Sequence, residues 1–581
     1  MAYEVRGYCI TCGRCSGICP TGALYYNGLG YAIQPDKCID CGKCAEACRM
    51  RIIHPAGWQP KEAEKHTEAN SYDCDLLVIG GGSSGVIAAA KFAECGKKVI
   101  IIEKLETLGG GGQYAQGIRL FGTKWELDAG APDQTDDYVR SAMATVRWEL
   151  NPQLVYHTFK ALPGMFDWMC EWANMEENFS YGQTPFGKGV NTVRGGKPAG
   201  QFIIEKCEQH IRELGVTVLY QTAAKQLIMR DGAVTGVIAE DPGGTTVITC
   251  RACLLATGNV AHGDVLRETV PEYFYATTRP SAHRLPTCTG DHITLARNAG
   301  IKVDTDSVAA AYLGGRGVPF IGPIGNHVSR GEALKVNKLG QRWINETWSD
   351  GEGPIWSLLR QPEALSYTIL DADIYESEAL PSYQQHYSRT GRNVGAGVPD
   401  EHGNYSRDAS VSGGGGPGGP PIAGMKTEKP TAKEVAENAK SLLGGHYFAA
   451  DTIDELADQI GCDRNILQAT IDRYNELCEQ GRDVDFFKPA EYMLPIKTAP
   501  FFALETHIAS DGVFGGLDID EWTHVISDGQ VVTGLYCVGD AVGNRYINQG
   551  GEKLEIINDF AYACASAWLA ANQIEKDLLS V

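Results

Sequence analysis

The chain has 581 residues, enough for about two to four domains, and its 43% hydrophobic and 21% charged content is typical of a folded globular protein. Its net charge of −21 argues against nucleic acid and against an anionic membrane surface as partners. No apolar run is long enough to span a bilayer, and the N-terminus has neither a basic nor an apolar signal segment, so we expect a cytoplasmic protein without a membrane span.

Cysteines are concentrated at the N-terminus, where eight of the chain's 19 fall within the first 48 residues. They repeat the spacing C-x2-C-x2-C-x3-C, first at Cys9, Cys12, Cys15 and Cys19 and then at Cys38, Cys41, Cys44 and Cys48. The doubled spacing resembles that of bacterial ferredoxins with two 4Fe-4S clusters, in which the last cysteine of each run ligates the other cluster. The resemblance implies one cluster on Cys9, Cys12, Cys15 and Cys48 and another on Cys38, Cys41, Cys44 and Cys19.

This resemblance covers about residues 1–57, for which we predict a small α+β domain of the bacterial ferredoxin type. Zinc is the alternative, because C-x2-C pairs also bind it, but the doubled eight-cysteine repeat favours the clusters. Arg49 follows Cys48 where these ferredoxins usually have proline, which leaves the ligand set intact. Residues 58–73 are polar and charged and are predicted to form a linker.

The next segment has the pattern of a strand, a glycine-rich turn, a helix and a second strand. The apolar runs Leu76–Ile79 and Val99–Ile102 predict two buried parallel strands, and residues 80–85 form G-x-G-x-x-G after the first. Such glycines allow a pyrophosphate to approach a helix N-terminus, and Glu103 stands where an acidic residue binds the adenosine ribose. The segment predicts a dinucleotide site, but by itself it does not distinguish FAD from NAD.

Two later segments favour FAD. Ala252–Val260 (ACLLATGNV) and Gly534–Gly543 (GLYCVGDAVG) resemble elements of flavoproteins with two dinucleotide-binding folds. In those proteins the acidic residue of the second element, here Asp540, contacts FAD. No second glycine fingerprint has a strand before it and a helix after it, so we predict no NAD(P)H domain and expect electrons to pass through the clusters.

From Cys74 to the C-terminus, the order of motifs resembles the fumarate reductase and succinate dehydrogenase flavoprotein superfamily. The stretches that carry the resemblance are Thr289–Gly300, Val336–Glu346, Ala450–Lys488 and the stretch from Pro500 onward. The first of them, TGDHITLARNAG, is similar to the family's TGDGIxMAxxAGA. The resemblance implies an α/β Rossmann-like FAD-binding domain over residues 74–307 and 501–581, and an α+β cap domain over residues 308–500 that closes substrate against the flavin.

The resemblance also implies which residues contact FAD. We expect the cofactor to be held noncovalently, because no histidine stands between His66 and His157 to tether it. The predicted contacts are Gly80, Gly82, Ser84, Gly85, Glu103, Lys104, Gly110, Gly111, Ala224, Thr257, Gly258, Asp291, Asp540, Gly551 and Leu554.

The sequence departs from the family where fumarate reductases carry a catalytic arginine. Their pattern is NExxTRD, and Ser349 occupies the arginine position in Asn345–Asp350. The family's HPT motif and its histidine before TMGG are also unmatched, so we predict that fumarate is not the substrate. The residue that supplies the proton is left open among Arg545, Tyr546, His507, Tyr312 and Arg316.

In this family a hydride passes between flavin N5 and one carbon of a C–C bond, while an acid or base serves the neighbouring carbon. We therefore expect an FAD- and 4Fe-4S-dependent oxidoreductase that reduces an activated C=C bond of a small unsaturated substrate. Its electrons would come from an external one-electron donor such as ferredoxin or flavodoxin. The aromatic residues of the cap, among them Trp343, Tyr367 and Tyr375, favour an aromatic, enone or alicyclic substrate. The alternatives are the same enzyme acting as a dehydrogenase, and an electron-transfer module that relays electrons to a partner protein.

Overall fold

The computed structural model describes most of the chain. The described residues are 2–6, 15, 18–26, 31–48, 51–58, 69–115, 117–184, 187–193, 197–269, 278–280, 285, 287–303, 309–315, 330–348, 355–377, 431–438, 446–513, 516–543 and 558–579. Within these ranges no helix is both long enough and apolar enough to cross a membrane.

Strands and helices alternate along much of the described chain. The strands are β1 (Tyr3–Val5), β2 (Leu24–Tyr26), β3 (Tyr31–Ile33), β4 (Ile53–Pro55), β5 (Asn70–Ile79), β6 (Val99–Ile102), β7 (Phe179–Thr184), β8 (Gly187–Thr192), β9 (Thr217–Leu219), β10 (Ala223–Arg230), β11 (Ala233–Asp241), β12 (Gly244–Leu255), β13 (Thr278–Pro280), β14 (Ala309–Gly315), β15 (Leu334–Asn337), β16 (Ser366–Leu370), β17 (Tyr447–Ala450), β18 (Phe501–Val513), β19 (Asp518–Ile519), β20 (His524–Ser527) and β21 (Gln530–Cys537). The helices are α1 (Lys43–Ala47), α2 (Ser83–Ala93), α3 (Lys124–Asp128), α4 (Thr135–Thr145), α5 (Pro152–Cys170), α6 (Ala199–Glu213), α7 (Gly263–Thr269), α8 (Asp291–Asn298), α9 (Ile355–Leu358), α10 (Ala372–Glu376), α11 (Ala432–Asn438), α12 (Ile453–Ile460), α13 (Arg464–Gln480) and α14 (Asp559–Leu579).

The N-terminal module is held together by two antiparallel strand pairs. β1 pairs with β4, so the two ends of the module lie side by side, and β2 pairs with β3. The Thr21 hydroxyl donates a hydrogen bond of 2.7 Å to the Lys37 carbonyl, which ties the end of the first cysteine run to the start of the second. This arrangement confirms the predicted small α+β domain.

A larger sheet forms the main body of the protein. Its strands follow the order β19-β20-β21-β12-β5-β6-β9, with β11 beside β12 and β10 beside β11. The neighbours from β21 to β9 are all parallel, which requires crossover connections such as α2 between β5 and β6. Leu76 and Val78 belong to the core that includes α2 and α14, whereas Leu77 and Ile79 belong to a different core. The inner part of β5, Leu76–Ile79, is therefore buried on both faces, and the predicted α/β Rossmann-like class is confirmed.

β5 is longer than its apolar run predicts. It begins at Asn70, inside the segment predicted as a linker, and Asn70 to Cys74 pair in register with Thr246 to Cys250 of β12. Exposed positions alternate with half-buried ones along this outer part of the strand. The outer part therefore lacks the continuous apolar run that identified Leu76–Ile79.

A second sheet carries the region predicted as a cap. In the described residues β18 is its central strand and pairs with β13, β14, β16 and β17, while β15 pairs with β16. Trp343, Tyr367 and Tyr375 are buried in its core. β18 begins just after the predicted domain boundary at residue 500, and β13 precedes the boundary at residue 308. Both strands therefore lie outside the range predicted for the cap, but backbone hydrogen bonds join them to this sheet.

A buried network of charged side chains lies in the region predicted as a cap, residues 308–500, which we call the second region. Arg342 donates two hydrogen bonds of 2.9 Å to the Glu346 carboxylate and one of 2.7 Å to Asp483. Lys488 Nζ lies 3.4 Å from Glu346 Oε2 and donates a 2.8 Å hydrogen bond to the Tyr474 hydroxyl. Burial opposes the charge of Glu346, but Lys488 and Arg342 outweigh it and lower the pKa of this carboxyl. The network is therefore charged and almost free of solvent.

One histidine fixes the far end of α14 to the edge of the larger sheet. His524 Nδ1 lies 2.6 Å from Asp520 Oδ2, and its Nε2 lies 2.8 Å from Asp577 Oδ2 in α14. The Tyr536 hydroxyl donates a 2.7 Å hydrogen bond to the same Asp577 oxygen. The hydrogen bond to Asp520 is the main cause that raises the pKa of His524 to about 8, and the bond to Asp577 adds to it.

This histidine predicts a pH-dependent contribution to stability. A raised pKa stabilises the fold fully below the unfolded value of about 6.5, and the contribution is lost as pH rises through about 8. Because the site is partly exposed, we expect only about 1 kcal/mol. In urea denaturation we compare the unfolding free energy of the wild type with that of His524→Gln. The difference between the two proteins should be about 1 kcal/mol larger at about pH 6 than at about pH 9. An equal difference at both pH values would contradict this role.

Candidate functional site

The turn between β5 and α2 admits only glycine at two positions. Gly80 has a φ of 102°, and a Cβ there would lie 2.5 Å from the Ala256 carbonyl oxygen. A Cβ at Gly85 would lie 1.9 Å from the Gly80 carbonyl oxygen, so α2 begins directly against the turn. The unpaired N–H groups of the first helical turn are therefore available where an anion can bind.

Gly82, by contrast, faces open space. A Cβ there would meet no heavy atom within 4 Å. A second glycine loop lies beside it, because the Gly109 N–H donates a 2.8 Å hydrogen bond to the Gly81 carbonyl, and a Cβ at Gly110 would lie 3.0 Å from Gly82 Cα. Space bordered by two glycine loops fits a pyrophosphate, which needs bare backbone at contact distance. The predicted residues that form this cradle are Gly80, Gly82, Gly85, Gly110 and the adjoining Gly111.

Glu103 follows β6 and is held in place by backbone donors. Its Oε2 accepts the Gly81 N–H and its Oε1 accepts the Leu105 N–H, each at 2.8 Å. Burial raises the pKa of this carboxyl in spite of these two N–H groups. Each oxygen keeps a further lone pair that a ribose hydroxyl can use. The Thr222 N–H donates a 2.9 Å hydrogen bond to the Glu103 carbonyl. The predicted FAD contact Ala224 follows Thr222 by two residues.

The start of α8 joins the loops that follow β6 and β12. Asp291 accepts hydrogen bonds of 2.7 Å from both Lys104 Nζ and Thr289 Oγ1. His292 Nδ1 lies 2.9 Å from Thr257 Oγ1. Three of the predicted FAD contacts, Lys104, Thr257 and Gly258, therefore follow the carboxyl ends of parallel strands, where α/β sheets bind their ligands. The fourth, Asp291, begins α8 and is joined to them through Lys104.

The C-terminal segment lies against the N-terminus of α2. A Cβ at Gly539 would lie 2.6 Å from Ser84 Oγ, and the Gly539 N–H donates a 3.1 Å hydrogen bond to Ser566 Oγ in α14. Ser84 Oγ in turn donates a 3.1 Å hydrogen bond to the Ala563 carbonyl. Asp540 is half-buried and follows Gly539 at the carboxyl end of β21. The segment that follows β5 and the C-terminal segment therefore build one site. Its open glycine cradle and the Glu103 carboxylate fit FAD.

Two residues of this site escape the sequence-based prediction. Gly109 has a φ of 112° and carries the bond to Gly81, but the run of four glycines at 109–112 does not reveal which of them turns. His292 is fully buried beside Thr257. The sequence signal that could have identified His292 is its place in TGDH, because the similar family motif has glycine there.

The predicted catalytic residues are described only in part. His507 is half-buried in β18 opposite Gly314 of β14, and Tyr312 lies in β14 opposite Ala509. The two are therefore close in register on neighbouring strands of the second sheet, and their roles stay predictions. The remaining candidates, Arg316, Arg545 and Tyr546, and the predicted FAD contacts Gly551 and Leu554 lie outside the described residues, as do the predicted cluster ligands Cys9 and Cys12.

The N-terminal module gathers one predicted set of cluster ligands around a single cavity. Cys19, Cys38, Cys41 and Cys44 all line it, although Cys19 comes from the other cysteine run. Burial opposes ionisation of Cys19, but the N–H groups of Thr21, Leu24 and Ala23 outweigh it and lower the thiol's pKa, which favours a thiolate ligand. Cys15 and Cys48, from the other predicted set, pack in the same small core. Four thiols from two runs around one cavity fit a cubane cluster.

The ligand assignment predicts a stepwise loss of iron. The double variant Cys38→Ala/Cys41→Ala should hold about four irons per chain, where the wild type purified under argon should hold about eight, because only one cluster loses its ligands. FAD content should not change. Cys462→Ala/Cys478→Ala is the matched control, since both thiols are half-buried in the second region and belong to neither set. Undiminished iron in the first variant, or lost iron in the control, would contradict the assignment.

Comparisons with known proteins agree with this architecture. A family model described as an FAD binding domain matches residues 75–551, and one described as a 4Fe-4S dicluster domain matches residues 1–49. Vinyl phenol reductase of Lactiplantibacillus plantarum is 24% identical over 477 residues, which cover 81% of this chain and 90% of that protein.

Solved structures share the fold of the body. The open conformation of a flavocytochrome c3 fumarate reductase superposes with a TM-score of 0.64 at 21% identity, covering 88% of this chain and 79% of that one. The 3-ketosteroid Δ1-dehydrogenase of Sterolibacterium denitrificans gives a TM-score of 0.61 at 18% identity, covering 87% of this chain and 100% of that one. The chain therefore belongs to the FAD-binding domain family of the fumarate reductase and succinate dehydrogenase flavoproteins, with a 4Fe-4S dicluster domain at its N-terminal end.

Proposed function

We propose that this oxidoreductase reduces an activated C=C bond in a small unsaturated substrate other than fumarate. The observation that carries the proposal is the combination of a glycine cradle that fits FAD with a separate sheet in the region predicted as the substrate cap. The names of a vinyl phenol reductase and a fumarate reductase among its relatives support the same reaction, because each names a substrate with a C=C bond.

The substrate class follows from an arginine that the second region lacks in its sequence, and not from Trp343, Tyr367 or Tyr375, which are buried in the core. Ser349 replaces the arginine that the family's fumarate reductases use, so a dicarboxylate loses a main anchor. An aromatic, enone or alicyclic substrate needs no such anchor. His507 and Tyr312 are the described candidates for supplying the proton to the carbon beside the one that is reduced.

Electrons are proposed to enter through two 4Fe-4S clusters on the eight N-terminal cysteines, from an external one-electron donor such as ferredoxin or flavodoxin. Noncovalently bound FAD supplies hydride chemistry towards carbon and single-electron exchange towards the clusters. In the protein, Glu103 and the two glycine loops bind and orient the cofactor, and the second region excludes water from the substrate.

The spectrum of the bound flavin tests this function. The full chain is reduced with dithionite under argon and mixed with 4-vinylphenol, cyclohexenone or fumarate. We expect the vinylphenol or the enone to restore the oxidised flavin spectrum, with formation of the saturated product, and fumarate to leave the flavin reduced. Rapid reoxidation by fumarate would contradict the substrate class.

A second candidate function is an electron relay, which the missing arginine also favours. In that case oxidised ferredoxin or flavodoxin would reoxidise the reduced protein, and no unsaturated compound would. Reoxidation of the flavin by cyclohexenone alone would rule out a pure relay. Reduction of the flavin by a saturated ketone would instead indicate a dehydrogenase.

A further inference from the structure

Phe487 presents a large apolar ring to solvent in the second region. Among the described residues it is the most exposed large hydrophobic side chain, with 76% of its surface accessible. Its φ of 58° is in the left-handed region, which bulky residues rarely adopt and which asparagine or glycine adopts more readily. Neither the surrounding solvent nor the backbone conformation favours phenylalanine here, so the fold of a single chain gives no reason for this ring.

The loop that carries Phe487 is held firmly by hydrogen bonds. The Asp483 carboxylate accepts three backbone N–H groups from residues 485–488, each at 3.0 Å. Asn345 Nδ2 donates a further hydrogen bond of 3.1 Å to the Phe487 carbonyl. Because the backbone is fixed in this way, the ring is presented before any partner arrives, and less conformational entropy is lost when it binds.

An apolar groove of about 450 Å³ lies beside this loop. Helix α13 contributes Ile466, Ala469 and Leu477 to its lining, and the loop contributes Phe486. A volume of this size is typical of sites that enclose an apolar group. Since Phe486 adjoins Phe487 in the chain, an exposed aromatic ring and a groove large enough to hold such a ring belong to one surface of the protein.

The charged side chains that line the groove are paired within the chain. They are Arg342, Arg473 and Asp485. Arg473 donates hydrogen bonds of 2.9 and 3.0 Å to the two oxygens of Asp485, and Arg342 forms ion pairs with Glu346 and Asp483. The net charge of −21 disfavours contact between two copies wherever carboxylates are unpaired. A neutral ring from a second copy meets an internally compensated surface at this groove.

We infer that two copies of this chain associate through this surface, with Phe487 of each copy inserted into the groove of the other. A ring and a groove on the same surface are self-complementary about a two-fold axis, so the contact closes at a dimer. Burial of both rings removes apolar area from water. Leu339 and Val484 are also exposed and adjoin lining residues closely in sequence, so they would border the contact.

The size of this surface sets the expected affinity. Eleven residues line the groove, and Leu339, Val484 and Phe487 lie beside it. A standard interface has roughly 20–30 residues a side, so this contact is small, and we expect a reversible dimer with a Kd on the order of 10 μM.

Sedimentation velocity of the full chain with its cofactors, under argon and over about 1–100 μM, tests the dimer. The wild type should shift from monomer to dimer across this range. Phe487→Asn removes the ring and suits the left-handed backbone, so its melting temperature should not fall, whereas its dimer Kd should rise at least about thirtyfold. Trp148→Asn is the matched control, because Trp148 is also an exposed aromatic residue with a φ of 59° but lies between α4 and α5. It should keep the wild-type Kd.

A mixing experiment tests whether the ring enters the groove. Ala469→Glu places a charge in the groove at an exposed position of α13 and should also abolish the dimer. A heterodimer of Phe487→Asn and Ala469→Glu keeps one intact ring in one intact groove, whereas neither homodimer keeps any. The mixture should therefore associate more tightly than either variant alone.

Three results would overturn the inference. The first is a wild type that stays monomeric over the whole range, whether the groove serves another protein or a small aromatic compound. The second is an equal dimer Kd in the wild type and Phe487→Asn, or loss of the dimer in Trp148→Asn. The third is a mixture that associates no better than its components. None of them bears on the reduction of a C=C bond, since no substrate is involved.

Discussion

Replacing Gly82 by alanine is expected to leave the fold intact and to weaken FAD binding by about 1–3 kcal/mol, or roughly 5- to 150-fold in Kd. A Cβ at this position meets no protein atom within 4 Å, so the empty protein has room for it. That room is the space in which the pyrophosphate must approach the backbone. The methyl group therefore competes with the cofactor and not with the fold.

Gly85→Ala shows the contrast at the same turn. Its Cβ would lie 1.9 Å from the Gly80 carbonyl oxygen, which is backbone and cannot move aside, so the variant should lose stability as well as FAD. Gly182→Ala is the control for both variants, because a Cβ there also meets no atom within 4 Å and the residue lies in the β7–β8 hairpin. Melting temperature of the empty protein and FAD affinity by flavin fluorescence separate the two effects. Wild-type affinity in Gly82→Ala would show that the pyrophosphate binds elsewhere.

The cradle could be predicted because its signals are local. The strand at Val99–Ile102 has the predicted bounds, and the glycines at 80, 82 and 85 each have the space or the contact that the fingerprint implies. Within about 30 residues, a strand, a turn and a helix specify one another through backbone sterics and burial. A sequence pattern can therefore carry the whole βαβ unit, including the carboxylate of Glu103.

Pairing between distant segments could not be predicted in the same way. The outer half of β5 is a strand because β12 lies beside it, and β18 joins the second sheet through four partner strands that lie between residues 278 and 450. Neither fact is visible in the local pattern of apolar residues. His292 illustrates the remaining case, in which one departure from a motif acquires meaning only through its neighbours Thr257 and Gly516.

The second large effect is expected for the buried charges of the second region. Arg342→Met should reduce the free energy of unfolding by about 3–5 kcal/mol, because it leaves two buried carboxylates without their shared guanidinium. Glu346 keeps Lys488, and Asp483 keeps hydrogen bonds from backbone N–H groups. Methionine keeps most of the side-chain volume, so the loss of stability reports charge and hydrogen bonds more than packing. Denaturation monitored by tryptophan fluorescence measures the change.

Arg464→Met is the matched control in the same region. Its partner Asp458 is about half exposed, as Arg464 itself is, so breaking that pair should change stability by less than about 1 kcal/mol. The comparison bears on the site because Glu346 ends the motif Val336–Glu346 and is followed by the segment where Ser349 replaces the family's arginine. If Arg342→Met were as mild as the control, the network would not hold Glu346 in place. A large effect would mean that the ion network holds Glu346, the last residue of this motif, in place.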